Sequence, residues 1–265
     1  MKRRSATRAR SPGAECGGVF VTGTDTGVGK TRVSVGLICA ANAAGYRTVA
    51  MKPVSAGCEA TPAGLRNDDA LALQQAARLE RPYPLVNPFA FAPPIAPHIA
   101  AAEVGRSIEL RRIAGAYRRL INGADFCVVE GAGGWTVPLG PRSSLADLPS
   151  RLGLPVLLVV GIRLGCLNHA LLTVESIEAR GVDLAGWVAN ILVAEGERPQ
   201  ANIDALRARI RAPFVGQIPW RRRAGGSSFR RVFESEPGRR FLRRVAGPVR
   251  SDSDASRIRP GNAPR

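Results

Sequence analysis

Apolar positions along the chain fall into two kinds of block. Short continuous aliphatic runs at about 18–22, 47–51, 125–130, 155–160, 184–190 and 214–218 read as strands buried on both faces. Between them, apolar residues spaced three and four apart predict helices at about 30–44, 68–79, 107–121, 145–152, 167–180 and 199–211. Gly45 stops the first helix, Asn67/Asp68 cap the second and Ser107 caps the third. Strand and helix alternate unbroken from about 17 to 220. This predicts a single α/β domain, a mostly parallel, doubly wound sheet with helices on both faces.

Two kinds of stretch leave the pattern. Residues 82–97 contain six prolines, so neither helix nor inner strand is expected there. Loops of that length often carry function. Residues 1–16 read as a disordered basic arm, and 221–265, rich in Arg, Gly, Ser and Pro, as a largely disordered tail.

Composition changes the picture little. The net charge of +17 suggests a nucleic-acid partner, but the ends carry most of it. Residues 1–16 contribute +4 and 221–265 contribute +9, leaving +4 for the presumptive domain. The five cysteines (Cys16, Cys39, Cys58, Cys127, Cys166) form no CxxC pair, against a zinc site or disulfide framework and in keeping with a reducing cytoplasm. The longest apolar run falls well short of the ~20 residues of a membrane span. The N-terminus lacks the apolar segment of a secretory signal.

Chemistry concentrates where the first strand ends. Val19–Val21 runs into Thr22-Gly23-Thr24-Asp25-Thr26-Gly27-Val28-Gly29-Lys30-Thr31, after which a helical pattern opens. Strand, glycine-bearing loop and helix form the context of a phosphate-binding loop. The loop's N–H groups and the helix N-terminus offer donors to phosphates; Lys30 reaches the outer phosphates and Thr31 can sit on Mg²⁺. The spacing departs from the common motif: its first-glycine position holds Thr24, one residue after Gly23. Ligands of parallel α/β sheets lie at the C-terminal strand ends, and further polar groups follow there: Lys52, Glu130 with Gly131-Ala132-Gly133-Gly134, Gly165-Cys166-Leu167-Asn168, Asn190, and Ile218-Pro219-Trp220.

Together these stretches resemble the dethiobiotin synthetases of the P-loop NTPase superfamily. Beyond the loop, the likeness rests on Lys52-Pro53-Val54, Arg66-Asn67-Asp68-Asp69-Ala70, Val86-Asn87-Pro88, Ala96-Pro97-His98, Val129–Gly134, Gly165–His169, Gly186–Asn190 and Gly216–Trp220. It covers about 17–220; beyond Trp220 no likeness is seen.

The resemblance implies an ATP- and Mg²⁺-dependent cyclo-ligase that makes dethiobiotin from 7,8-diaminopelargonic acid and CO₂ through a carbamic–phosphoric anhydride. It implies catalytic roles for Thr26, Lys30 and Lys52, and metal ligation by Thr31, Asp69 and Glu130. Gly27, Val28, Gly29, Lys30, Thr31 and Arg32 would hold the phosphates, and Asp69, Glu130, Gly131, Ala132 and Gly133 would also belong to the nucleotide site. Asn190, Ile218, Pro219 and Trp220 would line the adenine pocket. Gly165, Cys166 and Asn168 would hold the substrate carboxylate across a homodimer interface. The family usually has Ser or Thr three residues after the proline of Lys-Pro; here that position is Ala56 with Ser55 beside it, so a substrate hydrogen bond is either lost or re-supplied by Ser55. Two rival readings are a partition-type switch ATPase with a basic DNA-binding surface and a catalytically impaired paralogue.

Overall fold

The computed structural model describes residues 16–192, 198–220 and 226–247. Its centre is a six-stranded, wholly parallel sheet: β1 (Gly17–Gly23), β2 (Thr48–Met51), β3 (Phe126–Glu130), β4 (Val156–Ile162), β5 (Leu184–Ile191) and β6 (Phe214–Ile218), in spatial order β6-β5-β4-β1-β3-β2. The helices that matter are α1 (Lys30–Ala43), α2 (Asp68–Ala76), α3 (Leu110–Leu120), α4 (Cys166–Ala179), α5 (Pro199–Arg207), α6 (Gly226–Glu234) and α7 (Glu236–Ala246).

The continuous aliphatic runs are explained by two cores, one on each face. Successive strand residues point to opposite sides. Phe20, Cys127, Val129, Leu158 and Val160 enter the core beneath α3 and α4. Val19, Val21, Val128, Leu157 and Val159 enter the core beneath α1, α6 and α7. No position of β1, β3 or β4 is free to be polar for solvent's sake, since all are buried.

Part of the Arg-rich tail is ordered, which corrects the expectation of disorder across 221–265. Residues 226–246 form α6 and α7, while 1–15, 221–225 and 248–265 lie outside the described residues. Phe229, Val232 and Phe233, then Phe241, Leu242, Val245 and Ala246, join the core over α1. Their three- and four-residue spacing is an amphipathic signature that the mean composition concealed. The arginines occupy the opposite faces; Arg244 pairs with Asp183 at 2.9 Å and Arg230 with Glu234. Ser235 caps α7 by accepting from the Gly238 N–H. Gly36 of α1 is required by this packing, because a Cβ there would drive into the Phe229 backbone.

The proline-rich stretch also holds more structure than expected. Tyr83–Val86 and Pro97–Glu103 are short helices, and Phe89–Ala90 pairs with Val54–Ser55 outside the main sheet. Proline is tolerated in a helix's first turn, where the missing N–H has no partner to lose; Pro97 and Pro84 sit there. The expected Ser107 cap is replaced by Glu109, which makes no side-chain cap bond.

Candidate functional site

β1 turns at its C-terminal end into the 24–29 loop, and α1 starts at Lys30. Gly27 and Gly29 take positive φ of 74° and 91°, a conformation costly for residues with a Cβ. A side chain on Gly29 would also collide with the Asn190 amide. That amide arrives from the end of β5 and donates to Val28 O at 2.8 Å, bracing the loop. No side chain caps α1, so its leading N–H groups are left for an anion. Asp25 shapes the loop from the other side: its carboxylate accepts from the Thr26 N–H and from Arg163, both at 2.7 Å.

Four side chains far apart in sequence meet behind this loop. Lys52, just past β2, donates to Glu130 Oε1 at 2.6 Å and Asp69 Oδ2 at 2.9 Å, and lies 3.3 Å from Gly131 O. Thr31 Oγ1 lies 2.7 Å from Asp69 Oδ1 and 2.9 Å from Glu130 Oε1. Its single proton can serve only one of these acceptors. Glu130 is fully buried, and its Oε2 has no hydrogen-bond partner among the described residues. Lys30 Nζ donates to Asp25 O at 2.9 Å.

Burial alone would pull the Lys52 ammonium down, but Glu130 and then Asp69 outweigh it and hold it above the usual lysine value. For Asp69, burial pushes up, and Lys52 with Thr31 prevails, so its carboxyl lies below the usual range. Lys30 goes the other way. Burial, reinforced by the nearby Lys52 charge, lowers it from 10.5 to about 8.

A cleft of about 930 Å³ opens over these groups. Of the expected residues, Thr26, Gly27, Gly29, Lys30, Thr31, Arg32, Lys52, Ser55, Ala56, Asp69, Ala132, Gly133 and Asn190 line it. Glu130 lies beneath it, and Gly131 offers its carbonyl to Lys52. Val28 and Ile218 are instead core side chains, while Pro219 and Trp220 are exposed. Gly165, Cys166 and Asn168 stand at the start of α4, outside the cleft; the Cys166 side chain is buried and Asn168 is exposed. The Ser55 hydroxyl points to Asn87 Oδ1 at 2.8 Å, so its proton is committed inward rather than to the cleft. Pro94, Ile95, Ala96 and Pro97 also line the cleft. The proline count marked that stretch as a long loop without assigning it a wall of the site. Asn87 enters the resemblance only within Val86-Asn87-Pro88.

Loop, helix start and sheet edge define a P-loop α/β protein, and residues 17–227 match the AAA domain family. The fold is similar to that of the MinC:MinD cell division protein complex of Aquifex aeolicus (TM-score 0.53, 14% identity, 89% of this chain and 98% of that one). It is equally similar to cobyrinic acid a,c-diamide synthase of Mycobacterium smegmatis (TM-score 0.53, 13% identity, 88% and 98%). At such identities the likeness concerns the fold alone.

Sequence relatives narrow the class. The ATP-dependent dethiobiotin synthetase BioD of Pseudomonas paraeruginosa is 54% identical over 201 residues, 76% of this chain and 88% of that protein. That of Escherichia coli K12, BioD 1, is 51% identical over 201 residues, 76% and 89%. The chain belongs to the ATP-dependent dethiobiotin synthetase family. This favours the ligase reading over the partition-type alternative, which shares the fold but not this level of identity.

Proposed function

We propose that the chain closes the ureido ring of dethiobiotin from 7,8-diaminopelargonic acid, CO₂ and ATP. The observation that carries this is the convergence of Lys30, Lys52, Thr31, Asp69 and Glu130 behind one phosphate-binding loop. One substrate amine adds to CO₂ and loses a proton, giving a carbamate. A carbamate oxygen attacks the γ-phosphorus, and the bond to ADP breaks. The second amine attacks the carbamoyl carbon of the resulting anhydride, and inorganic phosphate leaves as the ring closes. Phosphoryl transfer asks for positioning and charge neutralisation rather than covalent help. Lys30 and Lys52 supply cations, the loop N–H groups hold the phosphates, and Thr26 faces the carbamate.

The donor set suits Mg²⁺. Thr31, Asp69 and Glu130 are hard oxygen ligands, a single hydroxyl proton stands between two carboxylates, and Glu130 Oε2 is buried without a partner among the described residues. Bound there, the ion would neutralise charge on the transferring phosphoryl group. Asn190 with Ile218, Pro219 and Trp220 serves the adenine end; Pro219 and Trp220 offer exposed surface, and Ile218 contributes from within the core.

The start of α4 receives the substrate carboxylate across a homodimer interface, with Cys166 acting through its backbone. Exposed Leu164, just before that helix, and Leu172, within it, support a covered surface there. Five free cysteines support a reducing cytoplasm. The test is ADP release that requires both the diamine and CO₂. ATP turnover indifferent to the diamine would refute the assignment.

A further inference from the structure

Lys52 lies one residue beyond β2, where the sheet no longer meets its backbone. Both of its backbone groups are nevertheless paired, and by a single segment. Its N–H donates to Val86 O at 2.8 Å. Its carbonyl accepts from Asn87 Nδ2 at 2.7 Å.

Asn87 is buried, 4% exposed, and its amide is engaged on both ends. Nδ2 also lies 3.4 Å from Phe89 O, and Oδ1 accepts from Ser55 Oγ at 2.8 Å and from Tyr83 OH at 3.2 Å. A flipped amide would set its oxygen against the Lys52 and Phe89 carbonyl oxygens, acceptor against acceptor, so one orientation is fixed. The Tyr83 hydroxyl has a second task. It accepts from the Asn67 N–H at 2.8 Å, and Asn67 is the N-cap of α2, two residues before Asp69.

We infer that Asn87, steadied by Tyr83, is a positioning residue that aims the Lys52 ammonium, and that the Tyr83 hydroxyl ties this clamp to the helix start carrying Asp69. The inference rests on the reading of Lys52 as the cation of phosphoryl transfer. A lysine has a long flexible stem, so where its ammonium rests depends on where its Cα is held. Val86 and Asn87 fix that Cα from both sides of one residue. Neither Asn87 nor Tyr83 lines the cleft, so both act through Lys52 and Asp69 and not on substrate.

The experiment compares Asn87→Ala and Tyr83→Phe with the parent enzyme. Diamine-dependent ADP release is measured over ATP concentration to separate kcat from KM, with nucleotide affinity by calorimetry and folding by thermal denaturation. In Asn87→Ala, kcat is expected to fall about 10- to 100-fold while the ATP KM stays within about threefold, because a misplacement near 1 Å costs on the order of 10²-fold. Tyr83→Phe should shift each quantity in the same direction by less.

Parent kcat in a folded variant overturns the inference. So does a fall of kcat and nucleotide binding together, in step with lost folded protein. If Asn87→Ala does not fold, the milder Tyr83→Phe decides by the same criteria. If the parent itself shows no diamine-dependent release, the proposed function fails. The clamp is then judged from a crystal structure of Tyr83→Phe. A displaced Lys52 Nζ would sustain it, and an Nζ still seated on Glu130 and Asp69 would overturn it.

Discussion

Lys30 should take up a proton when the nucleotide binds, and the amount is set by its surroundings. It is 7% exposed, and burial with the neighbouring Lys52 brings its ammonium down to about 8. A triphosphate laid along the loop reverses both effects by placing anionic oxygens beside it. For a group titrating near 8, about nine-tenths is charged at pH 7, about half at pH 8 and about one-tenth at pH 9. If the bound nucleotide restores the ordinary value of 10.5, uptake per site is about 0.1, 0.5 and 0.9 proton at those three pH values. Titration calorimetry in buffers of different ionisation enthalpy reads this as the slope of apparent enthalpy on buffer enthalpy. Lys30→Arg, which does not titrate in this range, should remove the slope. A slope near zero for the parent from pH 7 to 9 would refute the reasoning. The same group affects folding without nucleotide. Between about 8 and 10.5 the unfolded chain binds more protons than the folded one, so stability should rise with pH across that window, by up to about 3 kcal/mol.

Three further outcomes are expected. Lys52→Met should abolish diamine-dependent ADP release and lower unfolding free energy in urea by about 3–5 kcal/mol, since it leaves Glu130 buried without its cation; retained turnover would remove Lys52 from the reaction. Glu130→Gln should raise the half-saturating Mg²⁺ concentration of ADP release by at least about tenfold; an unchanged requirement would refute the metal assignment. Truncation after Trp220 removes Phe229, Val232, Phe233, Phe241, Leu242 and Val245 from the core. At roughly 1.5–3 kcal/mol for each large apolar side chain, the loss rivals the ~5–15 kcal/mol stability of a typical domain. Such a chain should show no cooperative urea transition, and a parent-like midpoint would count against the packing described.

The parts of this molecule that sequence reveals are those whose cause is local. Lys30 and Thr31 follow a strand and open a helix, and Glu130 ends an apolar run, so their placement at one sheet edge follows from the α/β pattern. Asp69 was legible only through resemblance, because an aspartate early in a helix looks the same whether it caps or ligates. The α6–α7 pair escaped because arginines dominate its average composition, while the spacing of Phe229, Val232 and Phe233 carried the signal. Asn87 left no local trace at all. Its partner is the backbone carbonyl of Lys52, brought beside it by the fold, and no side-chain pattern advertises a bond to main chain.

The opening strand and the final described helix touch. A Cβ on Gly17 would meet Ala246 backbone, and the Tyr46 hydroxyl donates to Gly247 O at 2.7 Å. One side of the sheet therefore stays unroofed until residues 226–247 have been synthesised, because the helices that shelter it follow all six strands in the chain. During that interval α1 and the strands beneath it present bare aliphatic surface to the cell, the condition under which nascent chains aggregate or engage chaperones. Changes in α6 or α7 act on the lid of this core, a closure that can be made only after all six strands have been laid down.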